Sequence, residues 1–178
     1  MMIRSTLLAA VAALSALLAA GPALAQASAT QPASGTMTLF LPVTVSKLSD
    51  LSFGTVVRPA SGSGNVSVNA VSGQVTASGG AGVVSSGPLS ASRASFSVTG
   101  EGSMNFTVSV PQTFNMTRSG GPESLQVTLN STTGGGTLSG AYGSTGSAAF
   151  GIGGSLVLNS GTPSGTYSGS FTVTVAYN

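Results

Sequence analysis

The sequence predicts an all-β fold, a two-sheet antiparallel sandwich, and three observations carry that prediction. The segment Gly165-Thr-Tyr-Ser-Gly-Ser-Phe-Thr-Val-Thr-Val-Ala-Tyr-Asn178 alternates Tyr167, Gly169, Phe171, Val173, Val175 and Tyr177 with Ser, Thr and Ala, which is the period of a half-buried strand. Several shorter runs alternate in the same way between turns rich in Gly and Ser. No window places apolar residues at helical spacing behind a cap, and β-branched residues dominate the periodic runs. The sandwich is expected to be of immunoglobulin-like type, without the cysteines and tryptophan of antibody domains; pattern alone leaves a closed barrel open as well.

Residues 1–25 read as a secretory signal: Arg4, an apolar run over residues 7–20, the break Gly21-Pro22, then Ala23-Leu24-Ala25 before Gln26. The run falls short of the roughly 20 residues of a membrane span, so cleavage is expected. The product is expected in the periplasm, at the cell surface or outside the cell, with no membrane span left in it. Residues 26–35 are too polar and irregular to bury anything and form an expected flexible lead, followed by a single β-sandwich domain over residues 36–178. Beyond the signal stand only Lys47, Arg58, Arg93 and Arg118 against Asp50, Glu101 and Glu123, a net charge of +1. So sparse a charge excludes nucleic acid as an expected partner. The chain has no cysteine, so an exported product must draw its stability from burial and strand pairing rather than from disulfides.

Taken in order, Met37, Leu39, Leu41, Val43 and Val45 alternate with Thr38, Phe40, Pro42 and Thr44, predicting a strand over residues 37–45 that Pro42 confines to an edge or a bulge. It is expected to pair within its own chain. Residues 47–50 read as a turn, and residues 51–57 as a short strand with a bulge or close approach at Gly54. Residues 58–64 form a loop. Val66 and Val68 with Val71 and Val75 predict a hairpin over residues 65–77 around Ser72-Gly73. Residues 78–92 read as loop, anchored by Val83, Val84 and Leu89. Strands follow at 94–99, with Phe96 and Val98 inward, and at 104–110, with Met104, Phe106, Val108 and Val110 on one face. Gly100-Glu-Gly-Ser103 is expected to join them as a hairpin, and Pro111 to stop the second. Residues 125–129 alternate clearly; residues 133–146 are a Gly-rich connection holding Leu138 and Tyr142. Residues 148–158 carry Phe150, Ile152, Leu156 and Leu158 among Gly151, Gly153 and Gly154, predicting a kinked or bulged strand. Pro163-Ser-Gly165 turns the chain into its closing strand.

Chemistry finds little to work with. No histidine and no cysteine are present, which removes the usual nucleophilic triads and ordinary zinc sites. Asp50, Glu101 and Glu123 each fall in an expected turn, where a solvated carboxylate is the simplest account; a glycosidase pair among them is the weaker one. Arg58, Arg93 and Arg118 are isolated, and the runs Gly134-Gly-Gly136 and Gly151-Ile-Gly-Gly154 lack the helix and lysine of phosphate loops. Four Asn-x-Ser/Thr matches, at Asn65, Asn105, Asn115 and Asn130, are the product of a Ser/Thr-rich composition. No catalytic, cofactor-binding or metal residue is assigned, no cofactor is expected, and the protein is not expected to be an enzyme.

Four patches in order, Leu51-Ser-Phe-Gly54, Phe96-Ser-Val-Thr-Gly100, Ile152-Gly-Gly-Ser-Leu156 and the closing run from Gly165 to Tyr177, resemble the bacterial domain of unknown function 4402 across nearly all of the chain beyond the signal. The Phe-Gly pair and the closing Gly-x-Tyr-Ser-Gly run are also similar to subunits of chaperone-usher fimbriae and to spore coat protein U. That wider resemblance implies a pilin-like sandwich and a structural, surface-assembly role, with like subunits or other surface proteins as partners. In those subunits an alternating N-terminal extension is donated to a neighbour and a disulfide is usual, whereas residues 26–35 do not alternate and no cysteine is present. The alternative is a self-contained secreted binding module, for example for carbohydrate, using loops at one end of the sandwich.

Overall fold

The computed structural model describes residues 28–178, so the expected signal segment, residues 1–25, lies outside the described residues. Residues 28–38 carry no regular secondary structure and are exposed throughout. Leu39–Asn178 form a separate folded unit. Its strands are β1 (Thr44–Ser49), β2 (Ser52–Phe53), β3 (Thr55–Val57), β4 (Ser63–Val68), β5 (Val75–Ser78), β6 (Gly82–Val84), β7 (Ala91–Ser92) and β8 (Ala94–Glu101). They continue with β9 (Asn105–Ser109), β10 (Thr113–Arg118), β11 (Ser124–Ser131), β12 (Gly135–Thr137), β13 (Thr145–Asn159), β14 (Tyr167–Ser168) and β15 (Thr174–Tyr177). No helix occurs among the described residues.

β13 is the spine of the larger sheet. β8 pairs with its first half, from Thr145↔Glu101 to Ile152↔Ala94, and β4 with its second half, from Gly154↔Val68 to Asn159↔Ser63. β11 must lie on the opposite edge, because Val127↔Leu156 to Ser131↔Ile152 occupy residues that β4 also reaches. β1 flanks β8, β5 flanks β4, and β10 then β14 extend the sheet beyond β11. Three small antiparallel sheets, β12-β9-β15, β2-β7 and β3-β6, supply the covering layer.

The strand period explains how one sheet serves two cores. Phe150 and Ile152 of β13 join Ala94, Phe96, Val98, Phe106 and Leu138 in one buried cluster, on which Val108, Val175 and Tyr177 of the small sheet pack. Leu156 and Leu158, two steps further along the same face, join Phe53, Val66, Val68 and Val127 in the other. Phe96 and Phe150 sit directly opposite in the ladder with their rings stacked at 5.2 Å, a cross-strand aromatic pair worth about 0.5–1.5 kcal/mol beyond its burial. Each fully buried aliphatic side chain, such as Val98 or Ile152, contributes roughly 1.5–3 kcal/mol.

The all-β antiparallel architecture is as the sequence predicts, and so are the hairpin now seen as β4–β5 and the inward rows of β8, β9 and β11. Gly54, at φ +72°, separates β2 from β3, where a bulge or close approach was expected; a Cβ there would lie 3.0 Å from Ala91 N. Other expectations are corrected. Pairing begins at Thr44, not at Met37: only Thr44 and Val45 of the expected N-terminal strand enter a ladder, opposite Thr99 and Val98 of their own chain. Pro42 explains the late start, since it has no N–H to give a ladder. The expected turn at residues 47–50 is the end of β1, with a register shift between Lys47 and Ser49. Residues 78–92 are not all loop, because β6 and β7 pair with β3 and β2, and Val83 and Leu89 are exposed rather than anchoring. Gly100-Glu-Gly-Ser103 is not a hairpin: β8 and β9 lie in different sheets, and Ser103, at φ 61°, turns the chain across the sandwich. β10 and β12 escaped the sequence reading, and the closing strand is split, as β14 on β10 and β15 on β9.

β13 carries no bulge. Its glycines serve close approach instead, because the main chain that follows β4 crosses the back face of the strand, and a Cβ on Gly153 would lie 2.2 Å from the carbonyl oxygen of Val68. Gly153→Ala is therefore expected to destabilise the fold by about 1–3 kcal/mol, since backbone rather than a flexible side chain must move. The thermal midpoint should fall by roughly 2–4 °C per kcal/mol. An unchanged midpoint would mean that β4 does not pass so close.

Candidate functional site

The three carboxylates end in three different settings. Asp50 pairs with Lys47 at 2.6 Å in the open, and Glu123 pairs with Arg118 at 3.0 Å, both near the surface as expected. Glu101 is the correction: it is only 3% exposed, and not a solvated turn residue. No group of three or more His, Cys, Asp or Glu side chains placed to hold a metal occurs among the described residues.

Glu101 stands at the end of β8, where the inward row reaches Gly100. A Cβ there would fall 2.2 Å from Tyr177 Oη, so the glycine leaves room for the tyrosine that ends β15. One Glu101 carboxylate oxygen accepts from Leu41 N at 3.1 Å and the other accepts from Gly143 N. Tyr177 Oη accepts from Glu101 N and donates to the carbonyl of Leu41, each at 2.7 Å. An unpaired buried carboxylate is costly, and main-chain donors remove most of that cost. The segment before β1 and the loop before β13 are thus pinned to the Glu101 side chain, and the last strand to its main-chain N–H through Tyr177. No sequence signal announced it, because Gly-Glu-Gly between two strands reads as a turn.

The pinned segments carry exposed apolar groups. Phe40 and Tyr142 stack with centroids 6.2 Å apart and planes 28° from parallel. They remain 43% and 65% exposed, beside Leu39 and Leu41. Tyr142 is the loop tyrosine the sequence singled out; Phe40 was placed in an outward row with no role. The isolated arginines fasten loops. Arg93 Nη1 donates to the carbonyls of Ala70, at 3.0 Å, and Val71; Arg118 Nε donates to Ser164 O at 3.1 Å; Arg58 donates to Thr162 O.

A second feature lies where the closing segment changes sheets. Residues 169–173 belong to neither the β14 nor the β15 ladder. Beside them is an open groove of about 510 Å³ lined by Val110, Pro111, Phe114, Phe171 and Thr172, and Pro111 also lines another of about 470 Å³ with Gln112 and Leu129.

Tyr177→Phe removes both phenolic hydrogen bonds and is expected to cost about 1–3 kcal/mol while speeding amide exchange at Leu41 and Glu101. Unchanged exchange at Leu41 would show that the hydroxyl does not hold it. A pH effect is expected at Glu123, whose carboxyl is held below its ordinary 4.5 by its own backbone N–H and then by Arg118. A depressed carboxylate stabilises above its unfolded pKa and loses that contribution as pH falls from about 4.5 through the lower folded value. Glu123→Gln should flatten that part of a stability profile, and an identical profile would discount the pair.

No curated protein and no solved structure matches the chain. A family model described as Domain of unknown function (DUF4402) matches residues 43–177, the span from the start of β1 to the end of β15. With the match covering most of its length, the chain belongs to the DUF4402 family.

Proposed function

We propose that the protein is an exported, non-enzymatic structural subunit that assembles with other copies or other surface proteins. The observation that carries this reading is the seam at residues 169–173, a stretch outside both ladders beside an open groove. Backbone outside a ladder, next to a groove that holds apolar side chains, is the geometry that accepts an added strand or a neighbouring surface. Supporting it, the charges beyond the signal nearly balance, so copies approach without strong repulsion. The likeness of the closing run to fimbrial subunits points the same way. The carboxylates and arginines are occupied with the chain's own backbone or with one another, which supports a role without chemistry.

Deleting the protein from its native cell is expected to remove a filament or layer seen at the surface by electron microscopy. Thr172→Lys, a charge placed on the exposed seam, should leave the monomer's thermal midpoint unchanged and still prevent assembly. An unaltered surface together with a wild-type protein that stays monomeric in solution would overturn the reading.

A further inference from the structure

We propose that Phe40 and Tyr142 form a stacking platform for a pyranose ring of a neutral polysaccharide, held in place by Glu101. The inference is independent of assembly at residues 169–173, since it uses other residues and stands whether or not copies associate.

The rings themselves give the first reason. Face-to-face contact needs about 3.5–4 Å between carbon atoms, so rings with centroids 6.2 Å apart and planes 28° from parallel are offset or splayed, and neither covers the other's face. Their exposure, 43% and 65%, agrees. Apolar surface left in water costs free energy, and here it is held out by a built support. The Glu101 carboxylate bonds the main chain one residue after Phe40, at Leu41, and one residue after Tyr142, at Gly143. A carboxylate only 3% exposed thus holds the main chain next to both rings before any ligand arrives, which lowers the ordering cost of binding.

The surroundings choose the ligand. Glu101 is buried and both of its oxygens are engaged, so the platform offers no charge to a phosphate, an acidic sugar or a cationic peptide. The loop beside Tyr142, residues 139–144, is exposed and polar, with Ser139 Oγ 3.3 Å from Ser147 Oγ, Ser144 Oγ donating to Ala141 O at 2.6 Å and Gly143 N donating to Glu101, so these hydroxyls meet a ligand through their remaining lone pairs. A pyranose has the matching character: an apolar C–H face to lie on a ring and a rim of hydroxyls to meet polar groups.

The test measures retention on insoluble cellulose and chitin and gel retardation by soluble neutral glucans, with anionic alginate for contrast. Wild-type protein should bind at least one neutral polysaccharide and not alginate. Tyr142→Ala and Phe40→Ala should each weaken binding by about tenfold or more at an unchanged thermal midpoint, whereas Tyr142→Phe, which keeps the ring, should bind as wild type. Glu101→Gln, a change in a positioning residue, should weaken binding less and speed amide exchange at Gly143. The proposal fails if no neutral polysaccharide binds, if alginate binds equally, or if Tyr142→Ala binds normally. It fails as well if the ring deletions instead turn a dimer into a monomer, because the rings would then be a contact between copies.

Discussion

β13 pairs with β8, β4 and β11, and the two buried clusters lie along one face of it, Phe150 and Ile152 in the first and Leu156 and Leu158 in the second. Neither cluster is closed without it. A single strand with an unbroken register serves both because its two faces are differently furnished: Phe150, Ile152, Leu156 and Leu158 stand toward the cores, while Gly151 and Gly153 on the opposite face let the chain after β4 cross against the backbone. Arg93, donating to Ala70 and Val71, then ties that crossing chain down. Long-range pairing of this kind must form across large sequence separations, so the fold depends on side-chain burial rather than on local propensity.

The Glu101 node works differently, because it joins segments that bury little. Leu39 and Leu41 are exposed and the loop at residues 139–145 is exposed, so apolar burial does not hold them. Hydrogen bonds to an ionised acceptor are worth about 1.5–3 kcal/mol, enough to order a short segment when two converge on one side chain. Tyr177 adds the link to the last strand, and its ring packs on the first cluster. The segment before β1 is thus ordered by polar contacts where the hydrophobic term is weak.

What was legible in the sequence follows from the same division. The alternating rows of β8, β9 and β11 and the hairpin β4–β5 were plain because one face of each is buried, and burial writes itself into period two. Residues 37–43 show the same alternation without a ladder, since Pro42 breaks the pairing and alternation says nothing of whether a partner strand exists. The glycines of β13 suggested a kink because the signature of a bulge and of a close crossing is the same residue; only the carbonyl of Val68 tells them apart. Glu101 was illegible for a further reason. Its partners, Leu41, Gly143 and Tyr177, are 60, 42 and 76 residues away, and two of these three contacts are with main-chain groups that no side-chain pattern encodes.

Edge protection bears most on the assembly reading. Exposed strand edges are normally blunted by charge, by bulges or by cover. β1 has Lys47 and a register shift, β5 lies against β6, and β14 is two residues long and ends the larger sheet beside Arg118. Residues 169–173, Gly, Ser, Phe, Thr and Val, have no charge and no proline, and they belong to neither ladder. A chain with seven charged side chains beyond its signal has few to spend on edges, yet the other edges of the larger sheet received them or were covered. The stretch outside the ladders also carries Phe171, whose ring lies 5.1 Å from that of Phe114 and lines the larger groove with it, so an incoming strand would find backbone outside a ladder and two aromatic rings in the same place.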